Sequence, residues 1–517
     1  MAIKKYIAEK DNTITNAFDI EYLSTRATGS NMGAADILEV FSVYGQKTTS
    51  SVELSRALVE FPISTISSDR TAGKIPASGS VSFFLRLFNA RHSEQLPRDF
   101  TVNVLAVSQS WEEGFGLDME AYTDKTEDGI EGSNWMNRIK NTRWGKAGGE
   151  YHSSSYVAAS TMPNYTFTFK EGHEDILLDV TSAVEEWIAG THTNYGFGIF
   201  LTSSQEGYVS NSSGADDDEV LHNTSGAEES FYTKRFFSRS SEFFFKKPCI
   251  EARWDSSTKD DRGDFYFSSS LAPAEDNLNT IYLYNYVRGT LKNIPSVGTG
   301  NIFLSIYSGS SEDTGPAYGK LLLSKGGGVV AAGDLNVTGG YVSTGIYSAS
   351  FAFTGSNALK TIYDVWHVAA TEFSTGSIKT NTLYSPGWNQ YNQYVSKITN
   401  LKPKYSKEEQ ARFRVFARPR NFSPTIYNVA SKEIENSIIH SASYEILRIV
   451  DQKTVINNST GSSTNHTYLS YDTSGSYFDL DMSLLEPGYL YGIKLAYNVA
   501  GEWRDQEELF KFRVEDN

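Results

Sequence analysis

The sequence predicts an all-β protein built from three domains in series. Tyrosine, phenylalanine and glycine are frequent, with 31, 30 and 41 residues among 517, and these residues fit short strands joined by tight turns. Short apolar runs recur along the chain, each bounded by Gly, Pro, Asn or Ser, which is typical of antiparallel sandwiches. We expect a large jelly-roll-like β-sandwich with one short helix, followed by two smaller Ig-like β-sandwich domains.

The first domain is predicted to span residues 1–255. Its clearest strand-like runs are 37–45, 80–88, 100–108, 165–170 and 195–203. The polar, charged segment WDSSTKDDRGDF (254–265) then predicts a linker.

Two smaller sandwiches are predicted to follow, at 256–378 and at 379–517. The runs in the first of them are 280–287, 301–308, 320–324, 341–353 and 361–369. The runs in the second are 411–418, 443–451, 467–472, 477–482, 489–499 and 509–515. Regular alternation within these runs predicts strands with one buried face.

One helix is predicted within DVTSAVEEWIAGTHTNYGFGIFL (179–201). Thr181 or Ser182 can cap its start, and Ser182 and Glu185 have the spacing of a capping box. Gly190 is expected to end it. The predicted apolar face consists of Val180, Val184, Trp187 and Ile188. A helix of this kind can close the open end of a sandwich, with Trp187 pointing inward.

The charge balance excludes several classes of partner. Lys and Arg total 46 against 62 Asp and Glu, a formal net charge of −16, which repels phosphate backbones and anionic lipids. We therefore expect no nucleic acid as a partner and no membrane insertion.

The N-terminus has no apolar run of the length of a secretion signal. The single cysteine, Cys249, allows no intrachain disulfide.

Motifs for nucleophilic or metal-dependent catalysis are incomplete. His173-Glu174 begins a zinc-protease pattern, but Leu177 stands where the second histidine is required. The eight histidines are scattered singly along the chain. We expect a protein that is not an enzyme and that has no cofactor.

Two acidic runs are candidates for calcium binding. Asp216, Asp217 and Asp218 lie in a Gly/Ser-rich loop, and Asp260, Asp261 and Asp264 lie in the predicted linker. Carboxylate oxygens are the ligands that calcium prefers, but neither run has the spacing of an EF-hand loop. The alternative is that both runs are solvated acidic loops. Arg262-Gly263-Asp264 also matches an integrin-binding tripeptide, a short pattern that occurs often by chance.

Three tryptophans of the first domain, Trp111, Trp135 and Trp144, lie in its least strand-like part. Exposed indole rings would stack on sugar rings. The alternative is that they pack in the core, as large aromatic residues in sandwiches usually do.

The order of motifs across residues 10–255 resembles the DNRLRE (disaggregatase-related) β-sandwich domain. The matching segments are 55–65, SWEEG with Trp111 and Gly114, NWMNR with Trp135, TRWGKAGGEY with Trp144, Asp179 and Thr181 with Trp187, Asn194-Tyr195-Gly196, and 231–254 with Pro248. The resemblance departs from the family in a stretched FYTKRFFSR segment and an acidic insertion at 209–230. It implies a fold like that of carbohydrate-binding modules, with shared residues that mark the fold rather than a reaction.

Beyond residue 255, segments such as GYVSTGIYSASFAFTG and YDTSGSYFDLDMSLLEPGYLYGIKL look like structural proteins of marine tailed phages. This resemblance implies a virion protein of the tail, the neck or the capsid surface. The expected partners are other virion proteins and further copies of the chain. The alternative is a carbohydrate-binding adhesin that recognises a host-surface glycan.

Overall fold

The computed structural model describes residues 2–20, 24–44, 51–92, 97–117, 122, 132–153, 162–210, 220–229, 232–309, 316–324, 335–354, 359–381, 393–420, 422, 426, 436–458, 465–499 and 501–516. It confirms the all-β class, since strands make up 48% of the residues. Contacts divide the chain into two compact units, Ala2–Asp255 and Ser256–Asn517, here called the N-terminal and C-terminal units. A further division near residue 378 stays a prediction.

The N-terminal unit contains thirteen strands among its described residues. They are β1 Ile3–Ile7, β2 Lys10–Thr15, β3 Ile37–Tyr44, β4 Val52–Glu60, β5 Ser82–Leu87, β6 Phe100–Ala106, β7 Asn137–Ile139, β8 Thr142–Arg143, β9 Asn164–Phe169, β10 Ile176–Asp179, β11 Phe197–Leu201, β12 Tyr232–Phe237 and β13 Cys249–Arg253. The helices are α1 Ile63–Thr71 and α2 Thr181–Ala189.

Two antiparallel sheets form this sandwich. The smaller has the order β1-β13-β5-β10, and the larger has the order β12-β3-β4-β11-β6-β9, with β2 paired to β4. Strands distant in sequence are neighbours in both sheets, as expected for a jelly-roll-like fold. Side chains such as Leu85, Val104 and Ile199 form one core between the sheets.

The outer face of the larger sheet is also buried. Ala57 and Val59 of β4 face the main core, whereas Leu54 and Leu58 of the same strand belong to a second apolar cluster. Alternate side chains of a strand point to opposite faces, so the sheet is covered on both sides. The covering residues come mostly from the segment between β6 and β9.

The prediction of one helix was wrong, because α1 precedes α2. Helix α1 is rich in Ser and Thr, and Ser68 and Thr71 donate their hydroxyl hydrogens to carbonyls four residues earlier. Such side chains compete with the helical backbone, so the local sequence gives little helix signal. Burial of Ile63 and Ile66 stabilises α1 instead.

Helix α2 lies where it was predicted, but its start differs from the prediction. Neither Thr181 nor Ser182 makes a capping hydrogen bond, and Glu185 forms an ion pair with Arg70 of α1 instead of a capping box. Gly190 ends the helix in the left-handed conformation, as predicted. Trp187 is buried in the main core, with its ring centroid 4.9 Å from that of Phe197.

The first half of the C-terminal unit forms one folded sheet, here called the middle sandwich. Its strands are β14 Phe265–Tyr266, β15 Asn279–Tyr284, β16 Tyr286–Val287, β17 Thr290–Leu291, β18 Ile302–Gly309, β19 Pro316–Lys320, β20 Val337–Ser343, β21 Ile346–Phe351, β22 Thr361–Val368 and β23 Thr371–Asn381. The sheet order is β14-β23-β22-β18-β20-β21-β15, with β19 beside β18 and β16–β17 a separate hairpin. Phe265 near one edge packs on Phe351 near the other, so the sheet closes over a single core.

The second half of this unit is an immunoglobulin-type sandwich, here called the C-terminal sandwich. Its strands are β24 Tyr394–Ile398, β25 Lys404–Ser406, β26 Gln410–Pro419, β27 Ala442–Arg448, β28 Lys453–Ile456, β29 Ser470–Asp472, β30 Gly475–Asp481, β31 Leu490–Val499, β32 Glu502–Asp505 and β33 Phe510–Glu515. The sheets are β24-β26-β30-β29 and β25-β33-β31-β27-β28 with β32 beside β31. Tyr491, near the start of β31, donates its hydroxyl hydrogen to the Glu486 carbonyl at 2.8 Å. This is the tyrosine corner of immunoglobulin-like folds.

No helix in the described part of the chain is both long enough and apolar enough to span a membrane.

Candidate functional site

The three candidate sugar-stacking tryptophans are buried. Trp111, Trp135 and Trp144 all belong to the apolar cluster on the outer face of the larger sheet. The indole N–H of Trp111 donates to the Tyr195 carbonyl at 2.9 Å, and that of Trp144 donates to the Asn134 carbonyl at 3.0 Å. These rings therefore offer no accessible face to a sugar.

Arg56 of β4 organises this cluster, and the sequence indicated it only as part of the segment 55–65 that resembles the DNRLRE domain. Its guanidinium donates to the Gly148 carbonyl and to Glu206, both at 3.0 Å, and lies 4.5 Å from the ring centroid of Phe200. Burying a charge is costly unless the charge is paired and hydrogen-bonded. The hydrogen bond to Gly148 thus ties the tryptophan-bearing segment to the sheet, and the ion pair with Glu206 compensates the buried charge. The one sequence signal was an arginine directly before the apolar run 57–59.

Asp179 and Thr181, which the sequence placed just before the predicted helix and at its start, form the turn between β10 and α2. The Asp179 carboxylate accepts hydrogen bonds from the Thr181 backbone N–H at 2.9 Å and from its hydroxyl at 2.6 Å. The Thr181 hydroxyl oxygen also accepts a hydrogen bond from the Phe83 N–H at 2.8 Å. These contacts fix the chain between β10 and α2.

Asn194, Tyr195 and Gly196 form the turn into β11. The Asn194 amide donates to the Phe61 carbonyl at 2.9 Å, and its oxygen accepts the Gly196 N–H at 3.0 Å. Gly196 has φ +78°, and a Cβ there would lie 2.0 Å from the Val59 carbonyl oxygen. Only glycine fits this position without distortion.

Gly114 and Pro248 also lie at structural positions. Gly114 has φ +82° and packs on the Asn31 side chain. The carbonyl of Pro248, which precedes β13, accepts the Ala8 N–H at 2.9 Å. Both residues therefore have a structural role in the backbone.

The two acidic runs have different outcomes. Asp216, Asp217 and Asp218 lie outside the described residues. The second run lies in residues 256–264, here called the joint segment. Asp260 is only 2% exposed, so this part of the predicted linker is not a solvated loop. Across the described ranges, no group of three or more His, Cys, Asp or Glu side chains is placed to hold a metal ion.

Backbone hydrogen bonds join the joint segment to β29 of the C-terminal sandwich. The Asp260 N–H donates to the Tyr471 carbonyl at 3.0 Å, and the Tyr471 N–H donates to the Thr258 carbonyl at 2.9 Å. The Thr258 N–H also donates to the Ser470 hydroxyl at 2.9 Å. The joint segment therefore adds a short parallel bridge to the edge of this sandwich.

A buried ion pair anchors the joint segment to the middle sandwich. The Arg262 guanidinium binds Asp364 of β22 through two hydrogen bonds of 2.5 and 2.6 Å. The Asp364 carboxylate also accepts the indole N–H of Trp366 at 2.8 Å. Because Arg262 is held in this way, the Arg-Gly-Asp tripeptide does not present its arginine to a receptor.

The remaining carboxylates of the joint segment are hydrogen-bonded as well. Asp261 accepts the Tyr471 hydroxyl at 2.7 Å and the Thr280 N–H at 2.6 Å. Asp264 accepts the Asn381 amide at 2.8 Å and lies 3.2 Å from Nε2 of His440. Burial raises the pKa of Asp261 and raises the pKa of Asp260 to about 6. The run that suggested calcium in the sequence therefore joins the middle and C-terminal sandwiches.

An exposed aromatic surface lies between β12 and β13. This Phe-Lys surface consists of Phe237, Phe243, Phe244, Phe245, Lys246 and Lys247. Phe243 is 42% exposed and Phe244 is 56% exposed. The ammonium group of Lys246 lies 4.9 Å from the ring centroid of Phe237 and 5.1 Å from that of Phe243. Since ammonium groups cover these ring faces, the surface suits contact through ring edges better than sugar stacking.

A polar cleft of about 250 Å³ opens in the C-terminal sandwich. It is lined by Gln393, Tyr394, Val395, Arg420, Val499, Arg504, Asp505, Gln506, Glu507 and Glu508. Amide, guanidinium and carboxylate groups of this kind can pair with the hydroxyls of a small polar ligand.

No known family model and no curated protein matches the chain. The resemblance of the N-terminal half to the DNRLRE domain therefore stays a prediction. Solved structures with some similarity include the two immunoglobulin domains of DIP-gamma, at 12% identity and TM-score 0.13, covering 46% of this chain and 90% of that one. Three N-terminal domains of the outer capsid protein Hoc of bacteriophage RB49 match at 10% identity and TM-score 0.15, covering 49% of this chain and 67% of that one. A Ca²⁺-stabilised, ice-binding adhesin of an Antarctic bacterium matches at 10% identity and TM-score 0.13, covering 98% and 99%. At such TM-scores these similarities carry no argument about function.

Proposed function

We propose that this chain is a non-enzymatic structural protein of a bacteriophage virion, a component of the tail, the neck or the capsid surface. It assembles with other virion proteins, and with further copies of itself, through surfaces of its β-sandwiches. The expectation rests on the sequence resemblance beyond residue 255. The observation that supports an assembly role most directly is the Phe-Lys surface.

Solvent-exposed aromatic clusters on folded domains commonly mark interaction sites. Phe243 and Phe244 lie in a hydrogen-bonded turn between β12 and β13, in which the Phe243 N–H donates to the Ser241 hydroxyl and the Lys246 N–H donates to the Phe243 carbonyl. A preformed surface loses little conformational freedom on docking. A partner with an apolar recess and carboxylates at its rim would cover the rings and pair with Lys246 and Lys247.

The test measures how much of the chain is incorporated into purified virions, for the wild type, for a variant of the Phe-Lys surface and for a control variant. Wild-type chain should co-purify with virions, and the double variant Phe243→Ser/Phe244→Ser should fold normally but be lost from the particles. Leu271→Ser is the control, because Leu271 is an apolar residue with 96% exposure in the middle sandwich. Equal incorporation of all three chains would exclude the Phe-Lys surface as the contact. Absence of the wild-type chain from particles would exclude the virion role itself.

The alternative function is a carbohydrate-binding adhesin, and the polar cleft is the observation that favours it. Its site would lie in the C-terminal sandwich rather than at the buried tryptophans. A glycan array should then give a signal that Arg420→Ala and Gln506→Ala reduce. An array without any signal would leave the structural role as the better account.

A further inference from the structure

His440 lies at a polar contact between the C-terminal sandwich and the joint segment. It belongs to the C-terminal sandwich, two residues before β27. Its Nε2 atom lies 3.2 Å from a carboxylate oxygen of Asp264 in the joint segment. Its ring packs edge-on against Tyr471 of β29, at a centroid distance of 5.4 Å and an interplanar angle of 90°.

The surrounding acceptors favour the charged form of this ring. Tyr471 donates its hydroxyl hydrogen to Asp261 at 2.7 Å, so its oxygen is left to accept a hydrogen from Nδ1 of His440 at 3.3 Å. Nε2 faces the Asp264 carboxylate, which is also a hydrogen-bond acceptor. Both ring nitrogens therefore face acceptors, and only the imidazolium form of histidine has the two donors that satisfy both contacts.

We propose that His440 is a pH-dependent latch, which as an imidazolium holds the joint segment against the C-terminal sandwich and loosens this contact when it loses its proton. Deprotonation leaves one ring nitrogen as an acceptor that faces either Asp264 or the Tyr471 oxygen. That contact changes from attractive to repulsive. The backbone bridge between the joint segment and β29 remains, so the sandwiches gain freedom without separating.

The charged groups around His440 fit this behaviour. Asp264 and Asp261 of the joint segment favour the charged ring, and Lys259 of the same segment opposes it. The hydrogen bond to Asp264, the larger cause, raises the pKa of His440 above its ordinary value of 6.5. The latch is therefore fully closed below about pH 6.5, the ordinary histidine value, and opens as the pH rises through the raised pKa.

The test measures the distance between the two sandwiches in the full-length chain. Spin labels at Leu271→Cys and Val450→Cys, two exposed positions, report on the middle and C-terminal sandwiches. The native Cys249 is buried, and burial raises the pKa of its thiol to about 12, so it should stay unlabelled. Pulsed dipolar spectroscopy then gives the width of the distance distribution at pH 6 and at pH 9.

The wild-type distribution should be narrow at pH 6 and broader at pH 9. His440→Gln and Asp264→Asn should give the same width at both pH values, and His440→Arg, which keeps a charge, should restore the narrow distribution at pH 9. His173→Gln, at an exposed histidine of the N-terminal unit, is the control and should behave as wild type. A wild-type width that does not change with pH, or a pH response that survives in His440→Gln, would overturn the proposal.

Discussion

Replacing Arg262 with methionine should destabilise the C-terminal unit by about 3–5 kcal/mol, because removing one partner of a buried ion pair leaves the other charge uncompensated. Asp364 is 1% exposed and Arg262 is 18% exposed at the side chain, so water cannot replace the lost guanidinium. The Arg262 guanidinium and the Trp366 indole both donate to Asp364, and of these two the change leaves the indole alone.

The effect can be measured locally by hydrogen exchange of the full-length chain. Peptides covering β22, Thr361–Val368, report the free energy of opening around Asp364. Since every 1.4 kcal/mol is a factor of ten, the expected loss corresponds to roughly 100- to 4,000-fold faster exchange in the slowest amides. A local measurement is preferable to a single melting curve, because a chain of several domains does not unfold in one step.

The matched control is the ion pair of Arg412 and Asp479 in the C-terminal sandwich. It also has two hydrogen bonds to one carboxylate, at 2.7 and 2.9 Å, but its side chains are 49% and 41% exposed. Arg412→Met should therefore cost at most about 1 kcal/mol, or roughly fivefold in exchange. Exchange is compared in peptides covering β22 for Arg262→Met and β26 for Arg412→Met. If Arg262→Met accelerated exchange no more than Arg412→Met does, the reasoning about the buried pair would be refuted.

Three further predictions concern the N-terminal unit. Burial lowers the pKa of Lys234 to about 8, so the unfolded chain binds more protons than the folded chain between about pH 8 and pH 10.5. The free energy of unfolding in urea should therefore rise with pH over this range, and an equal rise in Lys234→Met would contradict the role of Lys234. Trp187→Ala should lower the local stability by about 3–5 kcal/mol, measured by hydrogen exchange of peptides covering β11, because it opens a cavity in the main core. A loss below about 1 kcal/mol would show that the ring is not packed. Gly196→Ala should be more destabilising than Gly190→Ala, because both glycines have positive φ but a Cβ would clash only at Gly196. Gly190→Ala is expected to cost about 1–2 kcal/mol from backbone strain alone, and equal losses for the two variants would count against the clash.

The strands were largely predictable from the sequence, whereas α1 was not. Runs such as 100–108 and 411–418 alternate clearly, and the structure has strands at Phe100–Ala106 and Gln410–Pro419. The predicted strand at 320–324 instead follows a strand at Pro316–Lys320. Helix α1 has a weak pattern and depends on burial of Ile63 and Ile66, which the local sequence does not reveal.

The joint segment shows why charge was a poor guide to exposure. Asp260, Asp261 and Arg262 looked like a solvated linker because their partners are distant in the sequence. Arg262 pairs with Asp364, and Asp261 accepts the hydroxyl of Tyr471, which is 210 residues away. Pairing over such distances depends on the tertiary fold, so a charge pattern alone could not predict it.

The proposed function is tested most directly by quantitative mass spectrometry of purified phage particles. The account predicts peptides from both the N-terminal and the C-terminal unit in the particle fraction, at a constant copy number relative to the other structural proteins. Recovery of the chain only in the soluble lysate, with none in the particles, would contradict it.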